Sequence, residues 1–176
     1  MHIKLKRTPG IYLAGFMASG KSTVGRALAD RLGWGFVDID AQIEAREQTS
    51  ISQIFEVRGE AEFRRIETDM IRFWVREIER GTPTVVALGG GAFVQPGNFD
   101  LIASHGVSIW IDCSIDVIRT RLAEEAQVRP LARDPEKFLQ LFEARRTGYA
   151  RADFRVDGDC EVASSVEAML ALPLWK

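Results

Sequence analysis

The sequence predicts a single α/β domain built on a parallel β-sheet. Short runs rich in β-branched residues alternate with segments of helical periodicity, which is the pattern of parallel strands joined by crossover helices. The length of 176 residues suits one domain with a substantial core, so we expect one unit over residues 1–176. A composition of 46% hydrophobic and 27% charged residues excludes disordered, collagen-like and coiled-coil chains.

Five strands are expected, and each is a short, largely apolar run. Five strands are enough for a sheet with helices on both faces, which is a three-layer αβα arrangement. The predicted strands are residues 11–14, 35–39, 84–88, 107–111 and 154–156.

Helices are predicted from apolar residues at helical spacing and from capping residues. The first covers residues 21–32 and ends at Gly33, and a long one covers residues 61–80. Ser114 and Asp134 are expected to cap two later helices. Those two helices and a last one are predicted at residues 115–126, 135–146 and 165–172, with a mobile loop at 124–134.

The charge balance gives no reason to expect a nucleic-acid-binding or membrane-binding surface. The 23 Lys and Arg against 25 Asp and Glu give a net charge of -2, whereas nucleic-acid and membrane surfaces carry a basic excess. No apolar run is long enough to cross a bilayer. Cys113 and Cys160 are expected to be free thiols of a cytoplasmic protein. Of the 23 cations 18 are Arg, the residue that binds carboxylates and phosphates with a two-pronged fork.

A glycine-rich segment between the first strand and the first helix is the strongest functional signal. Residues 15–22, GFMASGKS, match the pattern G-x-x-x-x-G-K-[ST]. Its glycines let the backbone curl so that N–H groups and the helix N-terminus face an anion. Lys21 is expected to reach the outer phosphates of a nucleoside triphosphate, and Ser22 to ligate Mg²⁺. The predicted phosphate loop is residues 15–23, with nucleotide contacts from Ala18, Ser19, Gly20, Lys21, Ser22 and Thr23.

Among nucleotide-binding proteins, the sequence favours a small-molecule or nucleotide kinase. The NKxD-type base-reading element of a GTPase is not present, and a large ATPase needs a longer chain. Phosphoryl transfer asks the protein mainly for positioning and charge neutralisation, which a domain of this size can supply.

Two further segments are candidates for the second half of the site. Asp38 and Asp40 end the second predicted strand, where alternation puts both carboxylates on one side of the sheet edge that binds ligands. One carboxylate can hold Mg²⁺ there and the other can accept a hydroxyl proton; alternatively, Asp40 caps a helix over residues 41–47. Three glycines at residues 89–91 permit a ligand to approach the backbone closely.

With these residues in view, the chain resembles the shikimate kinase family, which belongs to the nucleoside monophosphate kinase-like P-loop kinases. The resemblance covers nearly the whole chain and rests on the order and spacing of its motifs. These are the GKST loop, Asp38-x-Asp40, I-F-x-x-x-G-E-x-x-F-R at residues 54–64, the GGG turn, Arg129-Pro130-Leu131, and Arg145 with Tyr149 and Ala152-Asp153-Phe154.

The resemblance implies a fold and an activity. The fold is that of a P-loop kinase with strand order 2-3-1-4-5 and a mobile lid at about residues 124–134. The activity is ATP- and Mg²⁺-dependent phosphorylation of the 3-hydroxyl of shikimate to shikimate 3-phosphate, on the chorismate route to the aromatic amino acids. ATP and shikimate are thus the implied small-molecule partners, and a monomer is expected.

The resemblance also implies catalytic roles. Asp38 would lie in the Mg²⁺ shell with Ser22, and Asp40 would be the base. Lys21 would act on the phosphates, and Arg129 would reach the transferring phosphate from the lid.

The substrate would lie in a region of about residues 38–65. Asp40 would bind its hydroxyls, and Arg64 and Arg145 would clamp its carboxylate, since two guanidinium groups facing one carboxylate form a strong anchor. The adenine would pack near Arg121. The backbone contacts to the substrate would come from Gly89, Gly90 and Gly91.

Two departures from the family pattern leave alternatives open. Ala18 stands where the family usually has Gly, which is tolerated unless this residue needs a positive φ. The family's R-x-P-L-Y reads Arg145-Arg146-Thr147-Gly148-Tyr149 here, so Arg146 is an alternative carboxylate ligand. The alternative functions are a related kinase of another hydroxy acid such as gluconate, and a catalytically inactive nucleotide-binding regulatory module.

Overall fold

Five parallel strands form one sheet in the order β2-β3-β1-β4-β5, which confirms the expected topology. The structure is a computed structural model that describes residues 10–125 and 134–175. Every residue of the three inner strands is buried, because helices cover both faces of the sheet. The strands are β1 (Gly10–Ala14), β2 (Gly35–Asp38), β3 (Thr84–Ala87), β4 (Val107–Asp112) and β5 (Phe154–Asp157).

Helices connect successive strands, and their caps are largely those that the sequence predicts. Gly33 ends the first helix in the left-handed conformation, with φ of 67°. Ser114 and Asp134 each cap a helix by accepting a backbone N–H. The helices are α1 (Lys21–Leu32), α2 (Ile39–Glu47), α3 (Ile51–Glu79), α4 (Pro96–His105), α5 (Ile115–Glu124), α6 (Pro135–Tyr149) and α7 (Val162–Leu170).

Several helices differ from prediction, and among them α6 continues to Tyr149 rather than residue 146 and α7 covers Val162–Leu170 rather than 165–172. The long helix Ile51–Glu79 consists of two helical segments separated at Gly59, whose φ of 82° and ψ of 168° are not helical; the second segment is the predicted one, and the first is additional. The helix α4 is not among the predicted helices, because its short sequence begins with Pro-Gly, which is typical of a turn. The helix α2 begins at Ile39 and is capped by Asp38, so the alternative in which Asp40 caps a helix over residues 41–47 is wrong.

The strand register brings the carboxyl ends of the inner strands to the same level. Leu13 of β1 and Asp38 of β2 each pair with Ala87 of β3. The phosphate loop after β1, the acidic segment after β2 and the glycine turn after β3 therefore begin side by side, at the edge where parallel sheets bind ligands.

Within residues 10–125 and 134–175, no helix combines the length and apolarity needed to cross a membrane.

Candidate active site

The phosphate loop lies between β1 and α1 and is shaped by backbone conformations that favour glycine. Gly20 is the N-cap of α1 with φ of 87°. A Cβ on Gly15 would lie 2.7 Å from the carbonyl oxygen of Ile111, so no side chain fits there. Ala18 has φ of 59°. Ala18 therefore has the positive φ that strains a residue with a Cβ, and the loop keeps its shape despite this strain.

The side chain of Lys21 lies across the loop. Its Nζ atom donates hydrogen bonds to the carbonyl oxygens of Gly15 at 2.8 Å and Phe16 at 2.9 Å. The cation is thus held at the N-terminus of α1, where the backbone N–H groups and the helix dipole also favour an anion.

A hydroxyl and a carboxylate meet at the start of α1. The Ser22 hydroxyl donates a hydrogen bond to Asp38, whose other oxygen accepts the Ala41 N–H at 3.1 Å. Both side chains offer oxygen, which is the donor that Mg²⁺ prefers, and Mg²⁺ on a nucleotide takes only one or two protein ligands. The pair therefore fits this metal, while the described residues contain no cluster of three or more metal-binding side chains.

The alternation argument requires Asp40 to lie on a strand. In the structure, Asp40 lies in the first turn of α2 instead. Its carboxylate faces the glycine turn, since a Cβ on Gly89 would lie 2.8 Å from Asp40 Oδ1. The same Cβ would lie 2.8 Å from Glu67 Oε1. Only glycine at this position lets the two carboxyl groups approach the turn, and together they form an acidic wall beside it.

Glu67 is a site residue that the sequence does not single out. It is 1% exposed, and Arg64 Nη1 donates to its Oε2 at 2.7 Å. Burial raises the pKa of Glu67 above its ordinary value, Arg64 opposes that rise, and the negative charge of Asp40 adds to it. An i,i+3 pair of Arg and Glu on a helix is most often a surface pair; only α3 packing against the glycine turn reveals that this one is buried.

Two guanidinium groups flank the glycine turn. A Cβ on Gly91 would lie 2.8 Å from Arg64 Nη1, and a Cβ on Gly90 would lie 3.3 Å from Arg145 Nη1. Burial lowers the pKa of Arg145, as does the positive charge of Arg64. The two groups thus face a common space, and an anion placed there would relieve the repulsion between them.

Arg145 is further held by its neighbours. Its guanidinium carbon lies 5.6 Å from the centre of the Phe16 ring. It also hydrogen-bonds Tyr149, whose hydroxyl donates to the carbonyl oxygen of Gly90. Arg146 instead turns away to Asp112 at the end of β4. Of the two alternatives left open by the sequence, the structure brings Arg145 and not Arg146 to the turn.

Arg121 ties the phosphate loop to the loop after β5. Its Nη1 donates to the Ala18 carbonyl at 3.2 Å and its Nη2 to the Gly158 carbonyl at 3.0 Å. The Sγ atom of Cys113 lies 3.3 Å from the same Nη1. The predicted lid residue Arg129 and residues 126–133 lie outside the described residues.

The fold and this site define the class of protein, which is a P-loop kinase. A parallel sheet in this order, a phosphate loop at its central strand and paired cations beside a carboxylate are the parts that phosphoryl transfer to a small anionic acceptor requires. Comparison with known proteins then narrows the class to one family.

A family model described as shikimate kinase matches residues 17–171. The shikimate kinase of Sulfurihydrogenibium sp. is 41% identical over 157 residues, which are 89% of this chain and 92% of that protein. The crystal structure of shikimate kinase from Aquifex aeolicus is 35% identical with a TM-score of 0.80, covering 92% of this chain and 94% of that one.

A third relative is the Acinetobacter baumannii shikimate kinase, solved in complex with shikimate. It is 31% identical with a TM-score of 0.85, covering 96% of this chain and 94% of that one. The chain therefore belongs to the shikimate kinase family, whose members are phosphotransferases with an alcohol group as acceptor.

Proposed function

We propose that this chain transfers the terminal phosphoryl group of ATP to the 3-hydroxyl of shikimate, on the chorismate route to the aromatic amino acids. The observation that carries the proposal is the convergence of Arg64, Arg145 and Asp40 on one glycine turn beside the phosphate loop. Two cations next to an acidic group suit an acceptor that carries both a carboxylate and hydroxyls, as shikimate does.

On the nucleotide side, the phosphates lie against the N-terminus of α1. The loop contacts come from residues 18–23, and Lys21 exchanges its carbonyl partners for the outer phosphates. Ser22 and Asp38 hold Mg²⁺. When bound, Mg²⁺ neutralises part of the charge on the phosphates. Arg121 and the loop after β5 form the wall for the adenine.

On the acceptor side, Asp40 binds the hydroxyls and accepts the proton of the one that reacts. The oxygen of that hydroxyl forms a bond to the terminal phosphorus as the bond between that phosphorus and the bridging oxygen of ADP breaks. Asp40 suits this role because it lies at the carboxyl edge of the sheet, beside the loop that holds the phosphates.

The substrate carboxylate is fixed by Arg64 and Arg145 with the backbone of residues 89–91. Glu67 holds the Arg64 guanidinium through their ion pair at 2.7 Å, so this cation is oriented before the substrate arrives. Arg145 is oriented by Tyr149 in the same way. Preorganised cations give the carboxylate a defined position, which in turn sets the distance of the hydroxyl from the phosphate.

Two further parts complete the proposal. Arg129, from a lid at about residues 124–134, stabilises the charge on the transferring phosphate, and closure of the lid excludes water. The chain acts as a monomeric domain over residues 1–176 in the cytoplasm. The free thiols of Cys113 and Cys160 support the cytoplasmic location.

An acceptor panel tests this function. Purified protein with ATP and Mg²⁺ is offered shikimate, gluconate and other hydroxy acids, and ADP release is followed. We expect turnover with shikimate and phosphorus on its 3-hydroxyl by NMR. Turnover with gluconate but not with shikimate would make gluconate the acceptor. No turnover with any acceptor would favour the nucleotide-binding regulatory module.

A further inference from the structure

We propose that Arg146, with Asp112, is a positioning residue that fixes the rotation of α6 and thereby holds Arg145 at the substrate carboxylate. The inference rests on the proposed function for the identity of that carboxylate. Arg146 itself does not touch the glycine turn, so its effect passes through the helix that both arginines share.

The two adjacent arginines point in different directions. Consecutive side chains on an α-helix diverge by about 100° because the helix has 3.6 residues per turn. Arg145 lies over the ring of Phe16 and beside Gly90. Arg146 turns toward the sheet and reaches the last residue of β4. A rotation of α6 that moves one guanidinium therefore moves the other.

The contact of Arg146 with the sheet is two-pronged. Its Nη1 lies 2.5 Å from Asp112 Oδ1 and its Nη2 lies 3.3 Å from Oδ2. Such fork-to-fork geometry fixes both distance and orientation. The Asp112 side chain is 8% exposed, and the guanidinium carbon of Arg146 lies 5.0 Å from the centre of the Trp110 ring. The carboxylate of the pair is therefore largely shielded from water, whereas the Arg146 side chain is 31% exposed.

Arg155 provides an internal comparison. Its Nη2 lies 2.5 Å from Asp112 Oδ2, and its guanidinium carbon also lies 5.0 Å from the Trp110 ring centre. Arg155 thus contacts the same carboxylate and the same aromatic ring as Arg146, but it lies on β5 and not on α6. Of these two arginines, only Arg146 connects Asp112 to the helix that carries Arg145.

Aromatic contacts fix α6 on either side of this ion pair. On the side of the phosphate loop, Phe138 and Phe142 pack edge-to-face against Phe16, with ring centres 5.4 and 5.3 Å apart. At the C-terminal end of α6, Tyr149 packs against Trp110 of β4, with ring centres 6.0 Å apart. Beside Asp112 and Arg146 lies an open cavity of about 420 Å³. Arg146 lies between these aromatic contacts along α6, so loss of its ion pair with Asp112 removes a restraint on the rotation of the helix next to Arg145.

The test compares Arg146→Ala with Arg155→Ala. We expect Arg146→Ala to raise the KM for shikimate about tenfold, because a displacement of about 1 Å at a positioning group can cost up to ~100-fold. The KM for ATP should change much less, and Arg146→Lys should restore part of the loss. Arg155→Ala should leave the KM for shikimate near the wild-type value. Equal KM values for shikimate in the two alanine variants would overturn the proposal.

Two further arms separate this inference from the proposed function and from misfolding. Arg145→Ala must raise the KM for shikimate; if it does not, the anchor assignment itself fails. If Arg145→Ala raises it and Arg146→Ala does not, only the positioning role fails. Thermal unfolding of Arg146→Ala and Asp112→Asn guards against loss of fold. If Arg146→Ala and Arg155→Ala lowered the unfolding temperature and raised the KM for shikimate by the same amounts, the role of Arg146 would be merely structural.

Discussion

The strain at Ala18 gives a prediction whose size can be worked from the structure. Its φ of 59° is in the left-handed region, where a residue with a Cβ is destabilised by roughly 1–2 kcal/mol. Replacing it with Gly removes that strain but adds backbone freedom to the unfolded chain, at a cost of about 0.4–1 kcal/mol. The net expectation for Ala18→Gly is a stabilisation of about 0.5–1 kcal/mol.

The assay is thermal unfolding of three proteins. For a chain of this length about 1 kcal/mol shifts Tm by ~2–4 °C, so Ala18→Gly should raise Tm by about 1–4 °C. The control is Ala27→Gly within α1, where φ is helical and Gly costs about 1 kcal/mol, so Tm should fall by about 2–4 °C. Equal losses in the two variants would refute the assigned conformation of Ala18.

Three other substitutions have defined outcomes. Asp40→Asn should lower kcat by about 10²–10⁴-fold if it is the base, while ATP still binds by calorimetry; unchanged kcat would remove it from that role. Burial raises the pKa of Glu67, so the stability that this group contributes is present at low pH and lost as pH rises through its folded pKa. Glu67→Gln lacks that loss, so the difference between its Tm and that of wild type should rise from pH 4 to pH 8. A difference that stays flat or falls would mean that the ion pair with Arg64 outweighs burial. Tyr12 is fully buried, and its hydroxyl has no hydrogen-bond partner among the described residues, so Tyr12→Phe should stabilise by about 1 kcal/mol in urea unfolding, whereas a loss would reveal a partner.

The sheet could be predicted from sequence because each strand is a short apolar run set off by turns. The bounds of α1 follow from its periodicity and from Gly33. The second segment of α3 follows the predicted periodicity, whereas the first segment, before Gly59, could not be predicted, because Gly59 interrupts the helical pattern with a non-helical backbone. Asp40 was expected on a strand, but the side chain of Asp38 caps α2 by accepting the Ala41 N–H, and this begins the helix early.

The site could be predicted where a motif fixes the chemistry locally, as in the phosphate loop. The role of Glu67 depends instead on the tertiary packing of α3 against Gly89, which no local pattern records. The choice between Arg145 and Arg146 likewise depends on where Asp112 lies in space, since both arginines have the same chemistry and adjacent positions. Family resemblance supplied the register of Arg64, whose sequence neighbourhood alone indicates an exposed helix.

The most direct test of the central claim, that Arg64 and Arg145 anchor a substrate carboxylate, compares kcat/KM for shikimate and for its methyl ester in wild type and in Arg145→Ala. Hydrogen bonds to a charged group contribute about 1.5–3 kcal/mol each, so wild type should prefer the free acid by about 100-fold or more. The preference should fall at least about tenfold in Arg145→Ala, because one of the two cations is gone. An unchanged preference in that variant would contradict the assignment of this site.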